Sequence, residues 1–101
     1  MDSASDKVDR YTKWLQEWVS YLPEGIGVEN RPDHLGRPYR WEVYRGESGQ
    51  PAKSIGFLDP ATVFVGMSGE EAREFLYTSL RNFVMARGID HTKLGPKTRH
   101  G

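Results

Sequence analysis

The sequence predicts an α+β fold in the order α-β-β-β-α, a small antiparallel sheet with two helices packed on one of its faces. Three observations carry this. An apolar stripe with helical period lies near each end of the chain, residues of alternating polarity lie between them, and the connections are too short for parallel crossovers. The sheet has three strands, or four if a short segment after the first helix is also extended.

The first helix is expected from about Asp6 to Leu22. At 100° per residue, Val8, Tyr11, Leu15, Trp18, Val19 and Leu22 share one face, and Asp9, Lys13, Gln16, Glu17 and Ser20 lie opposite. Ser5 or Asp6 can cap its start and Pro23 closes its end. Trp14 and Tyr21 fall at the margin of the apolar arc. Residues 23–38 are rich in Gly, Pro and charge, and two readings stay open for them: one long loop, or an edge strand at Ile26–Asn30 followed by a turn.

Tyr39–Arg45 alternates, with Tyr39, Trp41 and Val43 on one side and Arg40, Glu42 and Tyr44 on the other. After the turn cluster 46–51, a second strand at Lys53–Leu58 is expected to carry Ile55 and Phe57 inward and Ser54, Gly56 and Leu58 outward. Asp59-Pro60-Ala61-Thr62 suits a type I turn, and Thr62–Met67 reads as a third strand. Ser68-Gly69-Glu70-Glu71 spells a capping box, in which a serine oxygen accepts from the N3 amide and a glutamate reaches back. A stripe from Ala72 to Val84 follows. Gly88 then supplies a left-handed stop, with Ile89 folding back on Val84. One domain spans 6–89, residues 1–5 are expected to be disordered, and 90–101 to be a polar, weakly basic tail that is solvated.

Composition narrows the function classes. Lys and Arg number 14, as do Asp and Glu, so no global field draws the chain to nucleic acid or an anionic membrane. There is no cysteine, which excludes disulfides, thiolate metal sites and cysteine catalysis and suits a reducing, cytoplasmic setting. The polar, acidic start lacks the apolar core of a signal peptide, and no apolar run, Val63-Phe64-Val65 included, is long enough to span a bilayer. His34, His91 and His100 have no paired-ligand spacing, and no serine sits in a nucleophile elbow or glycine cluster in a phosphate loop. Neither catalysis nor a cofactor or metal is therefore expected.

The order of elements over residues 6–88 resembles that of double-stranded-RNA-binding domains. The resemblance is one of topology, and it breaks at the position that matters. Those domains grip phosphate with lysines at the start of the last helix, where this chain has Glu70-Glu71-Ala72-Arg73-Glu74. Their activity is not carried over.

The leading expectation is a small non-catalytic interaction domain, an adaptor or inhibitor with a protein partner not identifiable from sequence. Its contacts would come from Trp14 and Tyr21, from Arg31, His34, Leu35 and Arg37 in a surface loop, and from Arg40, Tyr44 and Phe64 on the outer sheet face. A homodimer through the same surface is compatible with this. The alternative, less favoured, is RNA or single-stranded nucleic acid stacking on Tyr44 and Phe64 of an open sheet face.

Overall fold

In the computed structural model, which describes residues 4–46, 49–59 and 66–96, the first apolar stripe forms helix α1, Ala4–Val19. All six stripe residues are buried, Leu15 completely. The helix ends three residues before the expected Leu22. The amide of Ser20 bonds the carbonyls of Gln16 and Glu17, and that of Leu22 bonds Val19, tightening the chain into a turn ahead of Pro23. Leu22 stays in the core from that turn.

The open question about residues 26–30 is resolved as a strand. Strand β1, Ile26–Asn30, pairs antiparallel with β2, Trp41–Arg45, which pairs antiparallel with β3, Lys53–Leu58, giving a meander in the order β1-β2-β3. Tyr39 and Arg40, expected at the start of β2, precede it, although Arg31 still bonds the Arg40 carbonyl across the hairpin. On the side away from β2, the Val28 carbonyl accepts from Gln16 Nε2 of α1 at 3.1 Å, and Val28 is 2% exposed. The helix therefore occupies the Val28 carbonyl on this edge.

The expected facing of β3 holds for Ser54, which is outward, and for Ile55, half-buried against the core, and is corrected for Gly56, Phe57 and Leu58. Trp41 pairs with Leu58, Glu42 with Phe57 and Val43 with Gly56, but Tyr44 pairs with Ser54. Ile55 is thus the extra residue of a bulge, and the alternation slips by one there. Leu58 and Gly56 turn inward and Phe57 turns out, 43% exposed. Gly56 is required at the bulge. Its φ is +135°, and a Cβ there would stand 2.6 Å from Arg87 Nη2 and 3.2 Å from the Phe83 ring. Arg87 ties the bulge to the second helix, donating from Nε to the Ile55 carbonyl at 2.7 Å and from Nη1 to the Phe83 carbonyl at 3.1 Å.

That helix, α2, runs Gly69–Ala86, and both halves of the Ser68/Glu71 capping box are made. At its far end, Gly88 has φ +74°, Ile89 N bonds Val84 O and Gly88 N bonds Met85 O, the two bonds of a Schellman motif. The expected strand at 62–67 falls, for 62–65, outside the described residues, as do Pro60–Thr62 of the expected turn; Gly66 and Met67 are not in a strand.

Both helices pack on the inner sheet face around Trp18, Trp41, Leu15, Leu76 and Leu80. The Trp41 indole, fully buried, donates to Thr12 Oγ1 at 2.8 Å, and that hydroxyl donates to the Val8 carbonyl at 2.7 Å. Where a solvated tail is expected, Asp90–Pro96 instead folds back as a strap on α1. A 3-10 turn at His91–Lys93 leads into Leu94, which is buried. Gly95 N then bonds the Trp18 carbonyl and Pro96 O accepts from the Trp18 indole, both at 3.0 Å. Trp18 O is one of the carbonyls that the end of α1 leaves unpaired, so the strap caps that helix.

Candidate functional site

Alternation in β1 and β2, and the bulge in β3, fix what the outer sheet face presents. One row across it is Glu29, Glu42 and Phe57; the next is Gly27, Tyr44 and Ser54. Glu29 and Glu42 stand directly opposite, a repulsive pairing. Arg31 offsets it, forming an ion pair with Glu29 and reaching Glu42 Oε1 at 3.7 Å. The Tyr44 hydroxyl donates to Glu42, which with Ser54 and the arginines holds the Glu42 carboxyl below its usual range, while the same carboxylate pushes the Tyr44 phenol up. Arg40 lies over Phe57, its guanidinium carbon 3.8 Å from the ring centre, and donates from Nη1 to the Arg31 carbonyl at 3.1 Å. The face is thus polar and its groups are satisfied among themselves. Beside it an open trough of about 780 Å³ runs over Gly25 and Gly27, between Gln16 of α1 with Ser20 of the turn after it and Tyr44 of β2 with Arg31 just beyond β1.

Beyond Arg31 and before Arg40 the hairpin ends in a loop organised by one carboxylate. Asp33 Oδ1 accepts from the amides of Leu35 and Arg37, each at 2.9 Å, and Oδ2 accepts from Arg37 Nε at 2.6 Å. Gly36 N bonds the Asp33 carbonyl at 2.9 Å, with Gly36 at φ +80°. These bonds hold the Asp33 carboxyl below its usual range, the Arg37 amide first among them. The tip they fix carries His34, exposed, and Leu35, 69% exposed, the highest among the exposed large apolar residues described.

The expected contact residues divide. Arg31, Arg40 and Tyr44 come together on the outer face, and His34, Leu35 and Arg37 form the adjoining loop. Trp14 lies apart, half-buried against Tyr11 at 5.2 Å between ring centres, with the Arg73 guanidinium 4.9 Å from its ring. Tyr21 is at the far end of α1, where its ring covers the backbone of Gly95. Phe64 lies outside the described residues. The sequence reading did not single out Asp33, Glu29 or Phe57 for the site. Asp33 had a usable signal, an Asp three residues before a Gly; Phe57 had one in Gly56, a glycine inside a strand pattern.

Among the described residues, no group of three His, Asp or Glu is placed to hold a metal ion, and no helix is long and apolar enough to cross a membrane. No family model, curated protein or solved structure matches this chain.

Proposed function

We propose that this chain is a non-catalytic protein-interaction domain, acting in the cytoplasm as an adaptor or inhibitor, and that it meets its partner through the Asp33–Arg37 loop. The observation that carries the reading is Leu35, displayed at 69% exposure on a loop whose backbone is braced by Asp33. A loop whose backbone is already hydrogen-bonded presents that side chain to a partner at little further entropic cost. Stacking of nucleic acid on the sheet face has less support. A base would have to displace Arg40 from Phe57, and a phosphate would meet Glu29 and Glu42.

The test is photo-cross-linking in the cells that make the protein, with p-benzoylphenylalanine in place of His34 and, separately, of Met85, which is exposed on α2. A discrete protein adduct from position 34, stable to nuclease and absent from position 85, is the expected result. An adduct of twice the chain's own mass would make that partner a second copy. No adduct from position 34 refutes the reading.

A further inference from the structure

We infer that the strap is an exchangeable element: two copies of this chain associate by trading residues 89–96, each strap filling the site over Trp18 of the other. What occupies that site is visible in the structure, because the chain fills it with its own residues. Leu94 is buried, Gly95 N bonds the Trp18 carbonyl at 3.0 Å, and the Trp18 indole donates to the Pro96 carbonyl at 3.0 Å. The site also selects the residue at its centre. A Cβ at Gly95 would stand 2.6 Å from the Tyr21 ring and 3.4 Å from Trp18 Cα, so glycine is the residue that lies close against α1 there. None of these groups belongs to the Asp33–Arg37 loop.

What an open strap exposes is complementary to itself. At the end of α1, Ser20 and Leu22 satisfy the carbonyls of Gln16, Glu17 and Val19, and that of Trp18 is left to the strap. Lifting the strap orphans this carbonyl and the indole N–H, and it puts Leu94 and the buried Ile89 into water. A second open copy carries the missing partner for every one of these groups. The exchange is reciprocal, so two copies close into a symmetric pair in which each group regains its contact. The hinge is short, the kind of connection that favours exchange. α2 ends at Ala86, and the reversal into the strap turns on Gly88 at φ +74°. A chain that runs on past position 88 toward a second copy needs no left-handed residue there. In dilute solution the closed form prevails, since a tethered strap meets its own site at an effective concentration in the millimolar range.

The test weakens the hinge and leaves the strap intact. A Cβ at Gly88 meets nothing within 4 Å, so Gly88→Ala acts only through the left-handed backbone, at a cost of about tenfold in equilibrium for each hinge. The pair has two hinges, so Gly88→Ala should associate about 100-fold more tightly than the unaltered chain in sedimentation equilibrium. Full-length Gly88→Ala chains, half of them isotope-labelled, are then unfolded together and refolded as a mixture at about 1 mM. Nuclear Overhauser contacts between copies, from the Tyr21 ring to Gly95 and from the Trp18 indole to Pro96, are the expected result. Adding Leu94→Ala, which trims the apolar anchor of the strap, should weaken the association. A pair without those contacts overturns the exchange, and so does a Gly88→Ala chain that folds and stays monomeric at about 1 mM. If Gly88→Ala does not refold, the same labelled mixture of the unaltered chain decides: contacts between copies uphold the exchange, and their absence overturns it.

Discussion

Leu94→Ala tests the least expected part of the fold, the strap that closes over α1. Leu94 is 8% exposed, in a segment whose composition reads as a solvated tail. Removing three carbons from a buried leucine forfeits about 2.4 kcal/mol, at about 0.8 kcal/mol per methylene. The site lies at the margin of the core, where neighbours can relax, so the cavity contribution is small and the total loss is about 2–3 kcal/mol. If the strap detaches, its two hydrogen bonds at Trp18 add about 1 kcal/mol each. For a domain of this size the smaller loss lowers the melting temperature by about 10–20 °C. Urea unfolding followed by tryptophan fluorescence gives the free energy, and hydrogen exchange at the Gly95 amide reports on the strap itself. A loss under about 0.5 kcal/mol, with a Gly95 amide that exchanges freely in the unaltered chain, would mean that the tail is solvated after all.

Three further outcomes follow from contacts described above. Gly56→Ala should cost about 2–4 kcal/mol in chemical denaturation, since φ +135° is strained for any side chain and the Phe83 ring must also give way; a neutral effect would remove the bulge. Thr12→Val leaves the buried Trp41 indole without its acceptor and should cost about 1–3 kcal/mol, with a shift in tryptophan emission that Thr12→Ser largely restores. The Asp33 brace should depend on pH. Its carboxyl is lowered in the folded loop, so the stabilisation is fully present above the ordinary value of 3.8 and disappears as pH falls through the folded value. Amide resonances of Leu35 and Arg37 should move together over that range, and Asp33→Ala should already show the low-pH positions at neutral pH.

What could be read from the sequence was what local periodicity and capping chemistry determine. The stripe of α1 predicts its buried residues one for one, because helical period leaves a single face to bury. The Ser68/Glu71 box and the Gly88 stop set the limits of α2 through bonds within a few residues. The facing of β3 failed beyond Ile55 because strict alternation assumes no bulge, and the bulge is tied at Ile55 to Arg87, 32 residues away. The strap failed for the same reason at longer range. Charge and polarity read 90–96 as tail, while Trp18, 78 positions before Pro96, supplies the donor that holds it down.

The candidate site follows the same division. A surface loop containing Arg31, His34, Leu35 and Arg37 could be read from turn-forming residues, yet its order could not, since that depends on Asp33 accepting three bonds at once. On the outer sheet face, strict alternation places Leu58 and Gly56 outward, and the bulge changes what that face offers. It turns Phe57 outward beneath Arg40 and leaves Glu42 between Phe57 and Glu29, on a face whose charged groups pair with one another. Of the exposed large apolar residues described, Leu35 is the most exposed, and it lies on the loop between Arg31 and Arg40. Arg31 and Arg40 are held to each other and to Glu29 and Phe57, and the Leu35 backbone is held by Asp33, so the tip is ordered by contacts within the hairpin itself.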